Sequence, residues 1–173
     1  PPVSATFPAI LSSRAQVWNE RAGVTAPAGG FVVNMLVNGG VMSSTSPTGG
    51  VVTGVVDSHF IHWSPLFGRS AVGSVTFSDP IVGVMYNDLW LNASDVALGA
   101  AGTSYPTGSA AIGRGMHPVS SRVFASGNTL RFDFGRFTSD RIEQVRVLTR
   151  PVPAAGGVWV AGLAMVGFAL RRR

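Results

Sequence analysis

Over residues 1–150, apolar and polar positions alternate in short runs, and each run ends at a cluster of Gly, Ser, Pro or Asn. Side chains in a strand point alternately to opposite faces, so an i, i+2 apolar pattern predicts a half-buried strand. The pattern predicts strands over residues 15–21, 30–37, 51–63, 71–77, 81–86, 122–125, 129–134 and 141–149. Turn signals separate them: Asn38-Gly39-Gly40, Ser46-Pro47-Thr48-Gly49-Gly50, Ser64-Pro65, Ser78-Asp79-Pro80 and Ser126-Gly127-Asn128. Short strands at regular spacing predict a mainly β fold, an antiparallel β-sandwich of jelly-roll-like kind. The sharpest alternation sets Leu130, Phe132 and Phe134 against Arg131 and Asp133, so the phenylalanines should be buried. In the last run Ile142, Val145 and Val147 alternate imperfectly with Arg141, Glu143 and Arg146, which predicts a bulge or a strand starting at Gln144. Residues 87–99 fit neither the strand nor the helix period. They read as an irregular excursion holding at most a short helical turn, with Ser94 as its N-cap. Residues 100–118, rich in Gly, Ala and Ser, read as a long loop. No internal repeat or heptad is visible.

The pattern changes at Pro151. Residues 151–170 carry no charge, and Arg171, Arg172 and Arg173 follow. As a helix, twenty residues span about 30 Å, the thickness of a bilayer's hydrocarbon core. The chain therefore divides into a domain over 1–150 and one transmembrane anchor over 151–173. Cationic residues stay on the cytoplasmic side, so the three arginines form a cytoplasmic anchor. The domain then lies in the periplasm, tied to a bacterial inner membrane by a single pass. Ala154, Gly157, Ala161 and Ala164 follow i, i+3, i+4 spacing, a helix-packing face small enough for close contact with a neighbouring helix. The first residue is proline, and a cleaved signal peptide is the expected reason.

Composition narrows the chemistry. Hydrophobic residues make up 46% of the chain and charged ones only 12%, which excludes a disordered segment. The net charge is +5, but three of the cations are the terminal arginines. No basic stripe remains in the domain, so nucleic acid is not an expected partner. Every cation is arginine. Cysteine is absent, which excludes disulfides, thiolate catalysis, Cys-ligated zinc and iron–sulfur clusters.

Two sets of residues resemble a known family. Pro151-Val152-Pro153, the apolar run and the arginine cluster resemble the PEP-CTERM sorting segment of exported Gram-negative proteins, with Val152 where that motif has glutamate. In that family a membrane sorting peptidase reads the motif. Without the glutamate, a retained anchor is the expectation here. The domain is similar to an exported domain that precedes such tails. The matching blocks are Val56-Asp57-Ser58-His59-Phe60-Ile61-His62-Trp63, Gly73 to Val84, Ser94-Asp95-Val96-Ala97-Leu98-Gly99, Gly102-Thr103-Ser104-Tyr105-Pro106, and Asp140 to Thr149. The resemblance implies location and architecture but no reaction.

Candidate chemistry is sparse. His59 and His62 form an H-x-x-H, but three residues apart on a strand they face opposite ways, and only Asp57 shares a face with His59. Asp79, Asp88, Asp95 and Asp140 sit in turn-like settings; a calcium site could draw on them, although no D-x-D-x-D-G loop is present. His117 precedes a proline and no G-x-S-x-G elbow occurs. Gly113-Arg114-Gly115 lacks the context of a phosphate loop, and Asn92-Ala93-Ser94 is a glycosylation sequon only formally. No catalytic residue, cofactor or transition metal is expected. The expected function is that of a non-enzymatic, membrane-anchored accessory subunit. It would brace or link proteins of a large bacterial membrane complex, a photosynthetic reaction centre with its light-harvesting antenna being one candidate. Its partners would be other membrane-protein subunits and the lipid bilayer. The alternative is a surface or biofilm-matrix protein that binds glycan or calcium.

Overall fold

The structure, a computed structural model, describes residues 1–5, 14–64, 69–107, 114–135 and 142–152. Its strands are β1 (Gln16–Thr25), β2 (Phe31–Val33), β3 (Met35–Leu36), β4 (Val41–Ser43), β5 (Gly50–Val52), β6 (Val55–Trp63), β7 (Ala71–Thr76), β8 (Ile81–Met85), β9 (Arg122–Ser126), β10 (Thr129–Phe134) and β11 (Glu143–Thr149); one helix, α1 (Asp88–Leu98), follows β8. A five-stranded sheet has the order β1-β6-β11-β8-β3, a four-stranded sheet the order β4-β9-β10-β7, and β2 and β5 form a two-stranded ribbon. All named strand pairs are antiparallel.

Two apolar clusters hold these layers together. Ile61, Trp63, Val145 and Val147 of the large sheet meet Val123, Leu130, Phe132 and Phe134 of the small sheet. The alternation in β10 is thus read correctly: both phenylalanines are buried, and Arg131 and Asp133 are exposed. The second cluster lies on the other face of the large sheet, where Phe60, Met85 and Leu148 meet Leu91 and Leu98 of α1 and Phe31, Val33 and Val52 of the ribbon. The large sheet is therefore covered on both faces. That is why all seven residues of β11, its central strand, are buried, and why alternation is blurred there. The strand starts at Glu143 rather than at Gln144, and its pairing slips only at the far end, between Leu148 and Thr149 against β8.

The helix corrects the expectation for residues 87–99. Asn87, not Ser94, is the N-cap; its side chain accepts from Trp90 N. Ser94 is buried in mid-helix, and its hydroxyl donates back to Trp90 O and Leu91 O. Asp88 occupies the first turn, and Arg21 of β1 donates to Gly99 O and Ala97 O at the other end. Both charges complement the helix dipole.

Among the described residues no helix is long and apolar enough to cross a membrane. Ala154, Gly157, Ala161, Ala164, Arg171, Arg172 and Arg173 lie outside the described residues, as do Asp140 and Arg141.

Candidate functional site

Glu20, Asp95, Tyr105, Arg114 and Arg146 converge at α1. On the α1-facing side of the large sheet, Arg146 of β11 has every guanidinium N–H engaged. Its Nε donates to Glu20 Oε2 at 2.6 Å and Nη2 to Glu20 Oε1 at 2.8 Å. Nη2 also reaches Asp95 Oδ1 at 3.0 Å, and Nη1 donates to Ser94 Oγ and Leu91 O. Glu20 in turn accepts from Ser58 Oγ at 2.6 Å and from the Tyr105 hydroxyl at 2.5 Å. A second guanidinium, Arg114, clasps both oxygens of Asp95 and also donates to Asn92 Oδ1 and Gln144 Oε1. The side chains of Arg146 and Glu20 are fully buried, and Arg114 is nearly so. The rings of Phe60 and Tyr105 lie within 6.0 Å of both guanidinium carbons.

Two cations and two anions cancel within this cluster, which is what allows it to be dry. A buried charge is tolerable only when paired and hydrogen-bonded. Burial alone would lower the Arg146 pKa, but the hydrogen bonds it donates to Glu20, with the attraction of Glu20 and Asp95, reverse that and leave it raised. Asp95 is therefore not a turn residue, as expected, but a helix residue gripped by two arginines. Arg114, read in the sequence only as part of a glycine-flanked loop, is a structural cation.

Tyr105 carries the cluster's pH dependence. Burial first, then the neighbouring Glu20 carboxylate, pushes its phenol from the ordinary value near 10 up to about 12. A raised folded-state pKa gives stability that is complete below the unfolded value and lost as pH rises through the folded one. Between about pH 10 and 12 the domain should lose stability, and Tyr105→Phe should reduce that loss, leaving the part due to the partly buried Tyr86, while lowering stability at neutral pH. Urea midpoints measured at pH 8 and pH 11.5 on both proteins check this; parallel losses in the two would contradict it.

The histidines separate as their spacing predicts. His59 faces the small sheet, where Nδ1 donates to Asn19 Oδ1 at 2.7 Å and Nε2 accepts from Thr149 Oγ1 at 3.0 Å. Burial lowers its pKa despite Asp57, Glu20 and Asp79. His62 faces α1 and accepts from Gln144 Nε2 at 3.0 Å. In the loop before β9, His117 Nδ1 accepts from both Ser120 N and the Ser120 hydroxyl, the latter at 2.7 Å. This closes a local turn, since Ser121 N also donates to His117 O. Asp79 accepts from Ser78 Oγ and from Val152 N. Among the described residues no group of three His, Asp or Glu stands close enough to hold a metal ion.

The outer face of the small sheet is different. Register places Ser43, Phe124, Arg131 and Ser74 in one row across its four strands, and Arg122, Asp133 and Val72 in the next. Of these, Phe124, Arg131, Ser74, Asp133 and Val72 line an open trough of about 940 Å³. Arg122, Arg131 and Asp133 make no side-chain hydrogen bond or ion pair with the described residues, and Phe124 and Val72 are exposed. Arg131 and Asp133 stand on the outward face that the alternation of β10 predicts, exposed to water or a partner. Compared with models of protein families, with curated proteins and with solved structures, the chain matches none.

Proposed function

We propose that this chain is a non-enzymatic accessory subunit. In this reading residues 151–173 anchor the sandwich at the outer side of a bacterial inner membrane, and the trough of the small sheet meets other proteins of a membrane complex. The observation that carries the reading is the distribution of polar groups. Inside, Glu20, Asp95, Arg114 and Arg146 satisfy one another and hold α1 in place. Outside, Arg122, Arg131, Asp133 and Phe124 face open space together. Protein contacts favour such a mixture of aromatic and arginine side chains. Successive strands also cross between the sheets, β3 to β4, β6 to β7, β7 to β8, β8 to β9 and β10 to β11, which supports the jelly-roll-like reading of the sandwich. The resemblance to PEP-CTERM proteins supports export, and a photosynthetic reaction centre with its antenna remains one candidate assembly. A second reading, a matrix protein that binds glycan, is favoured by one observation: Phe124 stands beside Arg131 in the trough, a ring and a planar donor such as a sugar ring would meet.

The test separates anchor from contact surface. The full chain should float with membranes, and a chain ending at Val152 should be released as a folded soluble domain. Gly157→Leu with Ala161→Leu should weaken co-purification with the complex in mild detergent, because close packing drives helix contact in lipid. Arg131→Glu in the full chain should do so through the trough. A truncated chain that still fractionates with membranes would contradict the anchor. Wild-type recovery of partners with both sets of substitutions would contradict the accessory role.

A further inference from the structure

The place where the chain leaves the sandwich decides which end can meet a bilayer. After β11, Arg150 N donates to Pro80 O at 3.0 Å and Val152 N to Asp79 Oδ1 at 3.1 Å. Arg150 Nη2 donates to Thr53 O at 3.1 Å. These bonds fix the exit between the β5–β6 and β7–β8 turns. The β9–β10 turn joins the same end, since Ile81 N donates to Gly127 O at 2.9 Å. Here a groove of about 350 Å³ opens, lined by Asn38, Val51, Thr53, Pro80, Gly127 and Arg150 among others.

The chemistry of this end is that of a lipid interface. Val51 pairs across the ribbon with Val32, and both are exposed, Val51 at 45%. Val152, at the exit itself, is 62% exposed. Asp79, the acid of these turns, is already engaged by Ser78 and Val152. The Arg150 guanidinium spends one bond on Thr53 O, and no other described side chain or carbonyl takes the rest of its fork. The length of the connection sets the occupant. An extended chain advances at most about 3.6 Å per residue, so this end stays within about 10 Å of the start of an uncharged run long enough to span a bilayer. A protein partner at this end would have to displace the headgroups that the tether draws in.

We propose that this end of the sandwich rests on the outer surface of the membrane. The groove beside Arg150 seats a phospholipid headgroup, with the guanidinium on the phosphate and Val32, Val51 and Val152 against the upper acyl carbons. The inference rests on the proposed reading of residues 151–173 as the membrane anchor. Because the chain has no cysteine, a single introduced thiol reports one position. Asn38→Cys places a fluorophore at the groove; Val119→Cys, 80% exposed and just before β9, places one beyond the opposite end of that strand. The full chain is reconstituted into phosphatidylglycerol–phosphatidylcholine vesicles carrying headgroup nitroxide lipid. Quenching should be several-fold greater at position 38 than at 119, and Arg150→Gln should reduce it. Flotation with equal quenching at both positions overturns the inference and leaves the anchor standing. Quenching at 38 that ignores Arg150→Gln overturns the headgroup seat. Failure to float overturns the anchor and this inference together.

Discussion

Arg146→Ala is expected to cost about 3–5 kcal/mol, because it strands Glu20 as an uncompensated buried carboxylate. That is a large part of the 5–15 kcal/mol by which domains are ordinarily stable, so the variant should be largely unfolded or unfold in low urea. Three losses coincide. Glu20 loses a bidentate cation at 2.6 and 2.8 Å while its side chain stays fully buried. Asp95 loses one of its two arginines, and Leu91 O and Ser94 Oγ lose the donor that ties α1 to the sheet. Replacing both partners removes the stranded charge, so Arg146→Met with Glu20→Leu should recover much of the loss despite two fewer ion-pair partners. Urea denaturation of the single and double variants gives the coupling energy. A single variant within about 1 kcal/mol of wild type would show that the cluster is not a clamp.

Gly115→Ala should cost about 2–3 kcal/mol from backbone strain and crowding together. Gly115 has φ of +93°, a region that L side chains rarely adopt. A methyl group there would also stand 2.5 Å from Tyr86 O and 2.9 Å from Asp88 Oδ1. Met116 N donates to Tyr86 O and Gln144 N to Gly115 O, so relief would pull Arg114 away from Asp95. Thermal denaturation should show a clear drop in midpoint, and Gly127→Ala, with open space around its Cβ position, should show a smaller one. Equal drops would mean that conformation alone matters.

How much of this was legible varies with how local the cause is. β10 follows from five alternating residues, because a strand with one wet face prints its burial on the sequence. The reading of residues 51–63 as one strand ran through Gly54, whose φ of +82° divides β5 from β6; its neighbours are β-formers, so composition hid the break. The helix was missed because its buried stripe is Leu91, Ser94 and Leu98, with a serine in the middle, while Leu89 and Val96 are exposed. Tertiary contact, with Arg146 bonding that serine, overrides the period. The charged cluster had no local signature at all. Glu20, Asp95, Arg114 and Arg146 come from four segments, and Arg146 lies 126 residues from Glu20. The one trace was Arg146 itself, a charge alternating with Val145 and Val147 in a strand buried on both faces.

That last strand also sets the order of events as the chain emerges and folds. β11 sits between β6 and β8, yet among the described strands it is synthesised after all the others. Until it arrives, β6 and β8 have no common neighbour, Glu20 and Asp95 have no Arg146, and both inner edges of the sheet are bare. A chain threaded across a membrane from its N-terminus therefore cannot close its larger sheet until residue 149 has crossed. On the proposed reading, the next segment to enter the translocation pore is then the uncharged run itself, so closure of the sheet and arrest of the chain would coincide.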